Sequence, residues 1–171
     1  GPSALSGELA RDMRGVRVAW APDLGGLPLD PRVRAVLDAQ RATFESLGCI
    51  VDDACPDLTA ADDIFLTLRR WRTAAVYEPL MRLRRDLMKP ELVEEIEAGL
   101  RLRGSDVPAA MLRRTALMER VRRFFDGHAV LVCAVNQVPP FDGSLTWPAE
   151  VAGVRMEHYV AWMRSAYWIS A

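Results

Sequence analysis

The stretch Ala129-Val130-Leu131-Val132-Cys133-Ala134-Val135 holds seven apolar residues in a row, with no charge and no polar alternation. A strand with one face in water alternates, whereas a strand covered on both faces, as in parallel sheets flanked by helices, reads as a continuous apolar run. The run therefore predicts an interior strand of an α/β sheet. Seven residues fall far short of the ~20 needed to cross a bilayer. Asn136-Gln137-Val138-Pro139-Pro140 ends the strand. Open α/β sheets bind ligands at the carboxyl ends of their strands, so two amides at this point must either find partners in loops or face a pocket. Asn136 and Gln137 are accordingly substrate-pocket candidates.

Upstream, Val16-Arg17-Val18-Ala19-Trp20 is β-branched and aromatic-rich and runs into Pro22, Gly25, Gly26 and Pro28, the pattern of a strand ending in a loop. Asp30-Pro31 supplies an N-cap followed by proline at the first helical position, where its missing N–H costs nothing. Val33, Val36, Leu37, Phe44 and Leu47 then share a helical face, and Gly48 stops the helix. A second short strand over residues 49–55 completes a βαβ unit, residues 1–57.

From Thr59 the period becomes 3.6. Thr59-Ala60-Ala61-Asp62 resembles a capping box, and Ile64, Leu68, Trp71 and Ala75 form a stripe that Pro79 is expected to bend or break. Pro90 opens another helix with Leu92, Val93, Ile96 and Leu100 aligned. After Gly104 a third runs to about Phe125 on the face Met111, Thr115, Met118, Val121 and Phe125. Residues 58–127 thus read as a helical insertion over the sheet. Such a cap can shape a pocket, which makes Trp71 the third pocket candidate. Residues 128–171 hold the apolar strand, a turn-rich loop and a last helix expected to begin near Met156.

Composition narrows the function classes. The 171 residues carry 22 Lys+Arg against 23 Asp+Glu, a net charge of −1, so no bulk field recommends nucleic acid or an anionic membrane as partner. Half the residues are apolar, as in a soluble globular domain. Acidic residues are spread among the arginine clusters of the helices, which predicts a solvated face with intrahelical ion pairs. Cys49, Cys55 and Cys133 are odd in number and lack Cys-x-x-Cys spacing; buried thiols in a reducing cytoplasm are expected. No metal-ligand spacing is present, and no metal is expected. His128 and His158 are expected at a surface or cap. No Gly-x-Ser-x-Gly occurs, Ser144 beside Gly143 reads as turn chemistry, and Lys89, the single lysine, precedes a helix-opening proline.

Three stretches together resemble the later half of an amidase signature enzyme. They are Asp12-Met13-Arg14-Gly15-Val16-Arg17-Val18-Ala19-Trp20; Asp30-Pro31 with Gly48-Cys49-Ile50-Val51; and, most specifically, the run from Val130 through Asn136-Gln137-Val138-Pro139-Pro140-Phe141-Asp142 on to Met156-Glu157-His158-Tyr159 and Ser165-Ala166-Tyr167-Trp168. Ala134 stands where relatives commonly have proline.

The resemblance implies a partial amidase-signature-type α/β fold, a mixed or parallel sheet flanked by helices with a helical insertion. It also implies hydrolysis of carboxamide bonds by a serine nucleophile, with a second serine and a lysine base from a Gly/Ser-rich region that this sequence does not contain. No catalytic residue carries over, no cofactor is implied, and the partner is a small-molecule amide. The chain is then expected to be a fragment, inactive alone, whose uncovered apolar surface favours self-association. The alternative is a non-catalytic α/β module that binds a small molecule or a protein.

Overall fold

A computed structural model describes residues 12–171. Three strands form a parallel sheet in the order β2-β1-β3, with β1 at Arg17–Trp20, β2 at Ile50–Asp53 and β3 at Val130–Val132. The βαβ unit is present. Helix α1, Pro31–Ser46, links β1 to β2, and the Asp30 carboxylate accepts the Arg32 backbone N–H at 2.8 Å to cap it. Of its expected face, Val33, Leu37 and Phe44 are half-buried, with Phe44 edge-on to Trp20 of β1, whereas Val36 and Leu47 are exposed.

The interior strand is β1. Val18 and Ala19 are completely buried because the sheet has a neighbour on each side of them. The expectation that residues 129–135 form the interior strand is corrected twice: only Val130–Val132 are strand, and among the described residues they lie at the edge of the sheet, where Val130 is 36% exposed.

Helix α2, Ala61–Arg84, continues through Pro79 without ending. It starts from Ala60 in a left-handed conformation (φ 75°) with no side-chain cap; the predicted capping box is replaced by an Asx turn, in which Asp57 accepts the Thr59 N–H at 2.9 Å. The buried face of α2 runs through Ile64, Thr67, Ala74 and Met81, so Trp71 and Ala75 of the expected stripe point outward. Helix α3, Pro90–Leu100, packs on α2 through Ile96 and Gly99. Gly99 is required there, because a Cβ would lie 2.1 Å from the Arg70 carbonyl oxygen. Helix α4, Asp106–Phe124, buries Ala110 and Leu117, while Met111 and Met118 of its expected face are exposed.

The main core joins the loops after β1 and β2 to α2 and α4 through Leu24, Leu27, Leu58, Ala61, Ile64 and Leu117, with Leu131 of β3 packed against it. Complete burial of a side chain such as Ile64 contributes roughly 2–3 kcal/mol. Near the carboxyl terminus a hairpin that the sequence pattern did not suggest pairs β4, Glu150–Val151, with β5, Val154–Arg155. Its turn places both Ala152 (φ 48°) and Gly153 (φ 80°) in the left-handed region, as a type I′ turn requires. Met156 donates its N–H to the Ala149 carbonyl, which extends the hairpin. The last helix, α5, therefore starts at Arg164 rather than near Met156, after a 3-10 turn at Ala161–Met163.

Candidate functional site

Because β1, β2 and β3 are parallel, their carboxyl ends open on one side, and the segments following them meet there. Gln137 ties these segments together. Its side chain is fully buried; Nε2 donates to the Pro28 carbonyl at 2.9 Å, Oε1 accepts the Arg164 N–H at 2.8 Å, and its own carbonyl accepts the Asp30 N–H at 2.8 Å. Ser165 adds a second link, donating its hydroxyl to the Val135 carbonyl at 3.0 Å. Both amide ends of Gln137 are thus engaged by backbone, and its position fixes the strand-end loop against α5. Asn136 is exposed, as is Trp71 on the outer side of α2. The structure does not gather the three pocket candidates around one described cavity.

It does bring together residues distant in sequence. Lys89, before α3, and Ser144, in the loop after β3, line one cleft of about 620 Å³ with Arg69, Glu91, Glu95 and Tyr159. Asp142 accepts the Ser144 backbone N–H at 2.8 Å, the Asx turn expected there. No described serine hydroxyl is hydrogen-bonded to a lysine or histidine: those of Ser46, Ser165 and Ser170 donate to backbone carbonyls. A serine nucleophile needs such a base in reach, so the described residues contain no assembled nucleophile–base unit. They also contain no group of three metal-ligating side chains.

A half-buried polar cluster that the sequence reading did not anticipate lies between α2 and α5. Asp62 Oδ1 accepts the Tyr167 hydroxyl at 2.5 Å and the Trp168 indole N–H at 2.9 Å, with Arg164 Nε 3.4 Å away. Burial, reinforced by the Asp62 charge, pushes the Tyr167 phenol far above its ordinary range. His158 is not at a helix start but in the turn before the 3-10 segment. Burial, together with the positive charges of Arg164 and Arg70, holds its imidazole below the usual histidine value. His128 is not a surface residue either: its side chain is 13% exposed and stacked on Phe124, with Nε2 3.5 Å from Asp52 Oδ2. Neither Tyr167 nor His158 is hydrogen-bonded to a serine or cysteine among the described residues.

The arginine-rich helices behave as the charge pattern predicted. Arg122 and Arg123 pair with Glu119 along α4, and Arg82 pairs with Glu78 along α2. Arg69 and Arg70 share Glu95 across α2 and α3. All three cysteines are free; burial pushes the Cys55 and Cys133 thiols up, which makes both poor nucleophiles. No described helix is long and apolar enough to cross a membrane.

No protein-family model matches the chain. An acylamidase from Rhodococcus erythropolis is 31% identical over 123 residues, which are 71% of this chain and 26% of the acylamidase. The crystal structure of a bacterial aryl acylamidase belonging to the amidase signature family superposes with a TM-score of 0.77 at 17% identity, over 93% of this chain and 36% of that one. The chain has the fold of part of an amidase-signature enzyme. A further amidase structure agrees, with a TM-score of 0.77 at 22% identity over 92% of this chain and 37% of its own. The chain therefore spans about a quarter of the curated relative it matches and little more than a third of each solved one. Within that span, β1, β2 and the helices between α1 and α5 supply the frame on which the strand-end loops are held.

Proposed function

We propose that this chain is the part of an amide-hydrolysing enzyme that supplies scaffold and part of the substrate pocket, the serine nucleophile being carried outside these 171 residues. The observation that supports the reading most directly is the 31% identity to an acylamidase, an enzyme whose name specifies carboxamide cleavage. The side chains fit it. Ser165, Ser170 and Ser46 spend their hydroxyls on backbone carbonyls, and the lysine–serine cleft holds no hydrogen bond between Lys89 and Ser144. The pocket contribution comes from the cleft shared by Lys89, Ser144 and Tyr159, with Asn136 and Trp71 offered at the surface and Gln137 holding the strand-end loop in place. The substrate is a small amide, no cofactor is needed, and the enzyme works in the cytoplasm.

The test compares the 171-residue chain with the product of the longer reading frame containing it. Both are incubated with a fluorophosphonate probe and with a panel of aryl and aliphatic amides. The longer product is expected to label on one serine and to release amine, and the 171-residue chain to do neither. Loss of the nucleophile–base unit removes several orders of magnitude in rate. Stoichiometric labelling of Ser144 in the short chain, lost in Ser144→Ala together with turnover, would overturn the placement of the nucleophile outside it.

A further inference from the structure

The cleft of about 620 Å³ joins the helical insertion to the loop after β3: the start of α3 and Arg69 of α2 form one wall, and residues 143–146 with Tyr159 form the other. Its charges are unequally committed. The two oxygens of Glu95 lie 3.3 Å from Arg69 Nε and 3.6 Å from Arg70 Nε. Asp142, at the root of the loop, accepts the Ser144 N–H at 2.8 Å. Glu91 is shared with a smaller adjoining cleft that Arg155 also lines. Lys89 forms no ion pair among the described residues, and the hydroxyls of Ser144, Thr146 and Tyr159 on the same cleft make no hydrogen bond there. Four cations, Arg69, Arg70, Lys89 and Arg155, thus stand against three carboxylates, Glu91, Glu95 and Asp142, a surplus of one positive charge.

We propose that this cleft receives a carboxylate carried by the amide substrate, with Lys89 as the residue that selects it. The proposal rests on the reading of the chain as part of an amide hydrolase and names the substrate class of its pocket: a small amide with an apolar body and one carboxylate. A monoanion cancels the surplus charge, whereas a phosphate dianion exceeds it. The Lys89 ammonium has three donors on a flexible stem, and the free hydroxyls beside it can serve the second carboxylate oxygen. Pro90, Leu92 and Leu145 offer apolar contact to the rest of the molecule. In a cleft walled by protein an uncommitted charge is felt farther than on an open surface. The loop that forms the second wall follows β3 on the carboxyl-end side of the parallel sheet, the side on which such folds bind ligands. The methyl ester of the same substrate leaves Lys89 without a partner, so charge rather than size does the selecting.

Lys89 is the single lysine of the 171 residues, so one side-chain amine reports on the cleft. Reductive methylation with isotope-labelled formaldehyde keeps its charge and gives one lysine resonance, followed by NMR while para-acetamidobenzoate or succinanilate is added. Saturable movement of that resonance is expected with at least one of the two carboxylates. Their methyl esters, and acetate at equal ionic strength, are expected to leave it in place; an equal response to ester or acetate would overturn the proposal. The second measurement is hydrolysis by the product of the longer reading frame. The two acids carry the carboxylate on the amine side and on the acyl side of the amide, so the pair that responds identifies which side enters the cleft. For that pair kcat/KM is expected to favour acid over ester by roughly tenfold or more, through KM. Lys89→Met should bring the ratio toward one, and Lys89→Arg should retain most of it. Amide hydrolysis with a ratio near one for both pairs, or a ratio that Lys89→Met does not change, would overturn the carboxylate site and leave the hydrolase reading standing. Saturable carboxylate binding at Lys89, together with a longer product that cleaves no amide, would keep the site and overturn that reading.

Discussion

Gln137 holds Arg164 by its backbone: the side-chain Oε1 accepts the Arg164 N–H at 2.8 Å inside a fully buried site, while the same amide's Nε2 donates to Pro28. One side chain thereby joins the loop after β1, the end of β3 and the first residue of α5. Removing it leaves a buried N–H and a buried carbonyl unpaired, each costing about 1–3 kcal/mol. Gln137→Ala is expected to lower unfolding stability by roughly 2–5 kcal/mol in urea. Gln137→Glu should also be destabilised, since a carboxylate cannot donate to Pro28. A Gln137→Ala midpoint within error of the parent would show that the clamp is not formed in solution.

Contact between α2 and α3 depends on the absence of one carbon. A Cβ on Gly99 would meet the Arg70 carbonyl oxygen at 2.1 Å and the Ala74 side chain at 2.7 Å, and the first of these is rigid helix backbone. Gly99→Ala gains helix propensity but must push the helices apart, and overpacking of this kind costs roughly 1–3 kcal/mol. Thermal unfolding followed by circular dichroism should show a lower Tm. An unchanged or raised Tm would mean that α3 sits farther from α2.

His158 makes stability fall on mild acidification. Its imidazole is held below the ordinary 6.5 by burial and by Arg164 and Arg70, against the smaller opposing pull of Asp62 and Glu95. The unfolded chain takes up a proton near pH 6.5 that the folded chain refuses, so the contribution of His158 is complete above that pH and is lost below it. In His158→Gln the drop in urea midpoint from about pH 7.5 to about pH 5.5 should be smaller than in the parent. Identical slopes in the two proteins would refute the argument.

Asp30 acts in the same direction at lower pH. Its carboxyl is lowered to about 2 by the Arg32 guanidinium and by the Arg32 N–H that it caps. A depressed carboxyl pKa stabilises the fold above the unfolded value and loses that contribution as pH falls toward the folded one, here from about 4 to about 2. Asp30→Asn keeps an N-cap acceptor but cannot titrate. Its acid unfolding curve should be shallower over that interval than the parent's, as measured by helix signal against pH.

Local chemistry made much of this protein legible before any coordinates. Asp30-Pro31 and Pro90 mark helix starts because a cap acceptor and a fixed φ act within a few residues, and both helices begin where these residues stand. Two short strands around one helix of α1's length can pair in parallel without strain, and they do. The family resemblance rested on the same kind of contiguous signal. Tertiary structure decided which surfaces are covered. An apolar run states that residues 129–135 favour burial but not which strand lies beside them, so β1 became the interior strand and β3 the edge. The stripe through Trp71 fits a helix equally well when rotated by one position, and contacts with α3 and α4 chose the face through Thr67 and Ala74. The two partners of Gln137 lie 109 and 27 residues away, and Asp62 meets Tyr167 across 105. A sequence pattern records how much a side chain loses in water; which distant group satisfies it is fixed only when the chain closes on itself.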